Sequence, residues 1–284
     1  MSDLSKTVGG DWDDLASNYA KMAETTSIRP INKMLERANA LNPFSKASGI
    51  LDNGCGPGLV MTYLLRDYGS QISKECALTC SDFSEGMVKQ VQVSKEKYTA
   101  ADPNSPWARL DTKVQNAIDL NEIADGSQSH VTAGFVYFMT PDPQKSLSES
   151  LRVLSPSGVL ALSAWKSSQW LDLMNLLTEV RPDKILPTLP EAWTSTGGIE
   201  GEMRKAGFKD IETYEVVVDM PYQSHDSFAD FMITKMPHII ALSKDMSKEE
   251  MAKYKNLFIE KMKGLCATEP GVLHGISLVA LGRK

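Results

Sequence analysis

The chain has 284 residues, 42% of them hydrophobic and 23% charged, which excludes a disordered, collagen-like or disulfide-stapled protein. Its 30 Lys and Arg residues against 36 Asp and Glu residues give a formal net charge of −6, so we expect no general attraction to nucleic acid. The four cysteines form no C-x-x-C pair, and no apolar run approaches the roughly 18 residues of a membrane span. We expect a reduced, cytoplasmic protein with no metal site and no membrane insertion.

The first forty residues predict two amphipathic helices before the core, separated at Pro30. Apolar positions recur at helical spacing on both sides of this proline, and they are Leu15, Tyr19, Met22, Ile31, Met34, Leu35 and Ala38. We assign residues 1–45 to this helical unit.

From Gly49 onward the pattern alternates between strands and helices, which predicts parallel strands joined by right-handed crossovers. The predicted strands are 49–53, 77–82, 112–116, 131–136 and 158–164. Between them we predict a helix that starts at Pro57 and stops at Gly69, followed by helices at 83–97 and 143–154.

The last third of the chain predicts a helix at 199–206 and strands at 209–220 and 271–281, with two or three helices between 227 and 265. The whole pattern indicates an α/β fold with a doubly wound, mostly parallel seven-stranded sheet. We assign residues 46–220 and 270–284 to this core, and residues 221–269 to a helical cap inserted before the last strand.

A glycine-rich turn follows the first predicted strand. Asp52 lies near the end of that strand, and Gly54, Gly56 and Gly58 follow in the turn that enters a helix. Glycine lets the backbone approach a ligand closely, and a helix N-terminus offers free N–H donors. A dinucleotide fingerprint G-x-G-x-x-G would need its third glycine at Leu59, so that pattern fails. The turn reads D-x-G-x-G-x-G and predicts a site for a nucleoside-containing ligand.

Asp82 meets a second requirement of such a site, an acidic residue at the end of the next strand. The two oxygens of a carboxylate there can accept both vicinal hydroxyls of a ribose. Taken alone, Asp82 could instead be the N-cap of the following helix. The two motifs in register favour the ribose interpretation.

The glycine turn resembles the first motif of the class I S-adenosylmethionine-dependent methyltransferase family. Three later segments resemble the family in the same order: a D-x-S-x-x-M element from Asp82, an adenine-side loop at 116–120, and an R-V-L-x-P-x-G stretch from Arg152. The resemblance spans about residues 12–165, roughly half the chain. It implies a Rossmann-like fold, S-adenosyl-L-methionine as cofactor and S-adenosyl-L-homocysteine as product.

The resemblance also implies where the cofactor binds. The methionine part is expected at Asp52 and the glycine turn, the ribose at Asp82, and the adenine among the residues that follow the second and third strands. The full predicted set is Tyr19, Asp52, Gly54, Cys55, Gly56, Gly58, Asp82, Phe83, Met87, Asn116, Ala117, Ile118, Gly134 and Phe135. The N-terminal helices would cover this site, with Trp12 and Tyr19 closing over the sulfonium, unless these two residues only pack between helices.

The acceptor is less readable from the sequence. The stretch 133–139 is apolar and lacks an Asn-Pro-Pro-Tyr type of sequence, which argues against nucleic acid or protein glutamine as substrate. The predicted substrate pocket comprises Trp12, Met139, Trp165, Phe231, Met232 and His238. The alternative is that the cap residues simply pack onto the sheet or form a dimer interface. His238 and Tyr19 are the candidates for a general base, if the acceptor needs one.

We therefore expect a monomeric or homodimeric enzyme that methylates an O, N or S atom of a small, largely apolar metabolite, such as a product of specialised metabolism. One alternative is a non-catalytic sensor that binds the cofactor on the same fold. Another is an NAD(P)-dependent oxidoreductase, against which the missing third glycine and the lack of a Tyr-x-x-x-Lys pair both count.

Overall fold

A computed structural model describes residues 16–186 and 188–284, and its centre is a seven-stranded sheet. The strands are β1 (Gly49–Asn53), β2 (Ala77–Asp82), β3 (Leu110–Val114), β4 (Gln128–Gly134), β5 (Leu154–Ser168), β6 (Lys209–Tyr222) and β7 (Gly271–Arg283). Their order in the sheet is β3-β2-β1-β4-β5-β7-β6. β1 to β5 pair in parallel, whereas β7 is antiparallel to both of its neighbours. The predicted fold class is confirmed.

Helices cover both faces of the sheet. They are α1 (Ala16–Leu41), α2 (Leu59–Tyr68), α3 (Glu85–Ala101), α4 (Pro143–Val153), α5 (Gln169–Asn175), α6 (Leu177–Val180), α7 (Thr196–Ala206), α8 (His225–Lys235), α9 (Pro237–Ser243) and α10 (Lys248–Leu265). Successive residues of β1 face opposite layers, with Ile50 in the cluster of α1, α2 and α3, and Leu51 in the cluster of α4 and α7. With helices on both faces, the central strands β1 and β4 are buried along almost their whole length.

The strand order reverses between β1 and β4. In a doubly wound sheet this point opens a crevice at the carboxyl ends of the strands, where ligands bind. β6 is antiparallel to β7, which is antiparallel to β5, so β6 also ends at this carboxyl edge. The helices α8, α9 and α10, which belong to the predicted cap, follow β6 directly. A cap cluster around Phe228, Tyr254 and Phe258 packs them against α5, α6 and the ends of β6 and β7.

The N-terminal part differs from its prediction, because residues 16–41 form one helix that contains Pro30. Proline removes a backbone donor and usually breaks or kinks a helix. Here the residues that follow it, including Ile31, Met34 and Leu35, are buried against the sheet, and this packing stabilises the continuous helix. Arg37 also pairs with Glu212 of β6 through two 3.0 Å hydrogen bonds. The prediction of two helices is therefore wrong.

Several predicted ends are shifted by one to four residues. β3 begins at Leu110, which is buried, and ends at Val114. Asn116 therefore lies in the loop beyond the strand. β4 ends at Gly134, because Phe135 has a φ of 58° and leaves the extended conformation. α2 begins at Leu59, not at Pro57. α3 begins at residue 85 instead of 83, and residue 154 starts β5 instead of ending α4.

Candidate active site

The glycine turn after β1 is held by the end of β2. The backbone N–H groups of Gly54 and Cys55 both donate to the carbonyl oxygen of Ser81, at 2.8 and 2.9 Å. The next donor along the turn, the N–H of Gly56, reaches Oδ2 of Asp82 at 2.8 Å. The turn is therefore fixed to the neighbouring strand at three consecutive residues.

Two glycines of the turn are needed for different reasons. A Cβ at Gly54 would lie 2.5 Å from Cγ1 of Val136, which follows β4, so only glycine fits there. Gly56 has a φ of 51°, and a Cβ built on it would have no described atom within 4 Å. The backbone at Gly56 thus borders open space at the switch point, where a ligand could approach it.

Asp82 joins the two loops at the carboxyl edge. Its Oδ1 accepts from the N–H of Ser84 at 3.0 Å, and its Oδ2 accepts from Gly56. Ser84 is the N-cap of α3, since its Oγ accepts from the N–H of Met87 at 3.1 Å. The capping role that the sequence left open for Asp82 therefore belongs to Ser84.

Asp52 is fully buried beneath the turn. Its Oδ1 accepts from the hydroxyl of Thr132 at 2.7 Å, and the two residues are partners in the β1–β4 register. Its Oδ2 has no hydrogen bond of acceptable geometry in the part of the chain that the structure describes. Burial raises the pKa of Asp52 to about 7 against the opposing effect of the Thr132 hydrogen bond, with a smaller upward contribution from Asp82. A positive charge nearby would favour the ionised form.

The predicted adenine side lies after β2 and β3. Phe83 is 40% exposed, an unusual value for an aromatic residue beside a sheet, whereas Met87 is buried in the first turn of α3. Asn116 is exposed and its Oδ1 accepts from the N–H of Ile118 at 3.2 Å. Ala117 between them is buried.

An aromatic group lies beyond β4 and β5. Phe135 stacks on Trp165 with ring centroids 4.4 Å apart, and Trp165 meets Trp170 edge-on at 5.3 Å. The backbone N–H of Phe135 donates to both Oγ and the carbonyl oxygen of Ser163. Met139 is half-buried in the same loop region. These residues line an apolar part of the carboxyl edge next to the glycine turn.

The cap residues of the predicted pocket differ in exposure. Phe231 is half-buried on α8, whereas Met232 is fully buried inside the cap's own cluster. His238 lies in α9 and Tyr19 in α1, but their side chains, like Trp12, lie outside the described residues. His225 is structural, because its Nε2 lies 2.8 Å from the carbonyl oxygen of Cys266.

The structure thus brings the loops after β1, β2, β3 and β4 to one edge, together with most of the predicted cofactor set. Sequence reasoning missed Thr132, Val136 and Tyr137. Thr132 could have been found from the register of two parallel strands, since it lies beside Asp52. No sequence signal marked Val136 or Tyr137, which read as ordinary apolar positions.

Among residues 16–186 and 188–284, no group of three His, Cys, Asp or Glu side chains is placed to hold a metal ion. None of the helices in those ranges has the length and apolar character that a membrane crossing requires.

Replacing Asp52 should alter the pH dependence of stability. Folding raises the pKa of Asp52 from 3.8 to about 7, so the contribution of Asp52 to the stability of the wild-type protein falls as pH rises from about 4 to about 7. Asp52→Asn removes this penalty. The free energy of unfolding of Asp52→Asn, measured by urea titration, should increase relative to that of wild type by up to about 4 kcal/mol over this pH range. A pH-independent difference between the two proteins would contradict this account of Asp52.

Comparisons with known proteins point to one family. Residues 51–162 match the family described as methyltransferase domain. Methyltransferase ucsB of Acremonium sp is 35% identical over 96% of this chain and 94% of its own length. Methyltransferase tpcH of Aspergillus fumigatus is 29% identical over 83% of this chain and 84% of its own length. Acetylaranotin bis-thiomethyltransferase of Aspergillus terreus is 25% identical over 72% of this chain and 69% of its own length.

Solved structures support the fold. The YcgJ protein of Bacillus subtilis aligns with a TM-score of 0.55 over 90% of this chain and 97% of its own, at 15% identity. The MccD protein aligns with a TM-score of 0.53 over 90% of this chain and 96% of its own, at 18% identity. With the relatives above and the glycine turn at the switch point, these findings show that the chain belongs to the class I S-adenosylmethionine-dependent methyltransferases.

Proposed function

We propose that the crevice between β1 and β4 binds S-adenosylmethionine, and that the enzyme methylates a small, largely apolar metabolite there. The open space beside Gly56 carries the proposal, because it adjoins backbone that the Asp82 carboxylate and the Ser81 carbonyl hold in place. The buried carboxyl of Asp52 gives independent support, since among the described residues it meets only the Thr132 hydroxyl and the Met61 backbone N–H, and a buried carboxylate is costly unless a positive charge lies near it.

The residues at the edge suit the parts of this cofactor. Asp82 would accept from the ribose hydroxyls, and the exposed ring of Phe83 would pack against adenine. The turn from Gly54 to Gly58 would hold the methionine part, with the carboxyl of Asp52 beneath it, and the positive charge of the cofactor would favour the ionised form of that carboxyl. When bound, the cofactor supplies a methyl group that its sulfonium already activates for transfer.

The task left to the protein is to hold the acceptor atom in line with that methyl group and to exclude water. Trp165 and Met139 are half-buried beside Phe135, and they would offer an apolar surface to the acceptor next to the turn. Such a surface favours a hydrophobic acceptor over a charged one. No covalent intermediate with the protein is needed, so the chain requires no nucleophilic residue.

Calorimetric titration tests the cofactor, with S-adenosylhomocysteine as ligand and NAD as the competing class. Micromolar binding of S-adenosylhomocysteine without binding of NAD is expected. Tight binding of NAD, with no binding of S-adenosylhomocysteine, would refute the proposal.

Incubation with methyl-labelled cofactor and a panel of phenols, amines, thiols and carboxylic acids tests the acceptor. Thiols belong in the panel because one relative is named a bis-thiomethyltransferase. We expect a labelled product from an apolar member of the panel. Cofactor binding without product from any apolar acceptor would support the sensor alternative.

Gly56→Val should abolish cofactor binding without unfolding the protein. The new side chain would project into the open space that the ligand needs. Gly126→Val is the matched control, because Gly126 also has a positive φ, 64°, and lies before β4, away from the carboxyl edge. Both variants should lose comparable stability through backbone strain, by about 1 to 2 kcal/mol, as measured by thermal unfolding. Only Gly56→Val should lose S-adenosylhomocysteine binding; equal affinities in the two variants would refute the assignment of the turn.

The cap is proposed to cover the acceptor. Phe231→Ala should raise the KM for the acceptor or lower turnover while the cofactor affinity is retained, because a side chain of the lid is removed. Leu257→Ala on α10 is the control, since Leu257 is also half-buried against the cap cluster. Met232→Ala is a poorer probe, because a fully buried methionine costs about 2 to 5 kcal/mol when truncated.

Gel filtration of the same variants separates the lid from the dimer interface that the sequence left open. A Phe231→Ala protein that becomes monomeric and keeps full activity would identify a dimer contact instead of a lid. The lid predicts an unchanged oligomeric state with impaired kinetics.

A further inference from the structure

A buried chain of polar side chains lies below the glycine turn. Asn53, the last residue of β1, is fully buried, and its Nδ2 donates to the hydroxyl of Tyr137 at 3.0 Å. The hydroxyl of Tyr137 lies 2.5 Å from Oγ of Ser150 on α4, and that Oγ donates to the carbonyl oxygen of Ser146 at 2.9 Å. Since Ser150 uses its own hydrogen on Ser146, Tyr137 is the donor to Ser150.

The same chain reaches β2. Oγ of Ser81 donates to Oδ1 of Asn53 at 3.4 Å, while the carbonyl of Ser81 accepts from Gly54 and Cys55. Asn53 therefore touches, on one side, the residue that anchors the glycine turn. On the other side it touches Tyr137, which belongs to the loop after β4.

Tyr137 stands next to the residues that complete the site. Val136 packs against Gly54, and Phe135 begins the aromatic group on the acceptor side. A 3-10 turn starts at Tyr137, three residues after β4 ends at Gly134, and the buried ring and hydroxyl of Tyr137 hold this part of the loop against β1 and α4. Burial raises the pKa of Tyr137 to about 12, and the hydroxyl therefore keeps its proton at neutral pH.

We propose that Tyr137 is a positioning residue of the cofactor site: through Asn53 and Ser150 its hydroxyl locks the β4 loop and the glycine turn into the arrangement that binds S-adenosylmethionine. The inference rests on the proposed function of this crevice. Its physical basis is that a buried, fully paired polar network holds one geometry, whereas removal of one member leaves a donor without a partner. Asn53 is that donor when the tyrosine hydroxyl is lost.

The test is Tyr137→Phe, with S-adenosylhomocysteine binding measured by calorimetry well below the Tm. We expect the Kd to rise about tenfold, the size of one lost buried hydrogen bond. Ser150→Ala should weaken binding in the same direction. The double variant should bind no more weakly than Tyr137→Phe alone, because both changes act on one network.

Tyr254→Phe is the matched control. Tyr254 is equally buried and donates to the carbonyl oxygen of Met174 at 3.1 Å, but it lies in the cap cluster. It should lower the Tm about as much as Tyr137→Phe and leave the Kd within about twofold of wild type.

An unchanged Kd in Tyr137→Phe, or an equal loss of affinity in Tyr254→Phe, would overturn the positioning role and leave Tyr137 a purely structural residue. If Tyr137→Phe does not fold, Ser150→Ala decides the question, and an unchanged Kd in that variant overturns the role. Wild-type protein that fails to bind S-adenosylhomocysteine refutes the proposed function itself, on which the positioning role depends.

Discussion

The parallel pairing of β1 with both β2 and β4 is the constraint on which the site depends. It sets Asp52 beside Thr132 and Asn53 beside Ser81, and it brings the loops after these strands to one edge. The carbonyl of Ser81 can then accept two consecutive backbone donors of the glycine turn. A shift of β1 by one residue in this register would turn each of its side chains to the opposite face of the sheet, and the crevice would be lost.

The site contains more buried polar side chains than is usual for the centre of a sheet. Asp52, Asn53, Ser81 and Thr132 are all buried, and Oδ2 of Asp52 has no hydrogen bond of good geometry within residues 16–186 and 188–284. Such groups oppose folding unless they are paired. Binding of a cationic cofactor that carries hydroxyl groups would explain why these polar residues lie together at the end of β1. Structural packing alone would favour apolar residues at these positions.

Much of this arrangement was predictable because it follows from local rules. Glycines in a strand-to-helix turn and the acid that ends the next strand need only the chain order and the two periodicities of helix and strand. The single helix through Pro30 was not predictable, because burial against the sheet outweighs the local effect of proline. Tyr137 was missed for a related reason: its partners are Asn53 and Ser150, which only the folded chain brings near it.

A crystal structure of the protein with S-adenosylhomocysteine tests the central claim most directly. We predict that the ligand lies at the carboxyl edge between β1 and β4, with its ribose hydroxyls on Asp82, its adenine against Phe83 and its homocysteine part beside Gly56. Ligand bound anywhere else, or a crevice that stays empty at saturating ligand concentration, would contradict the account.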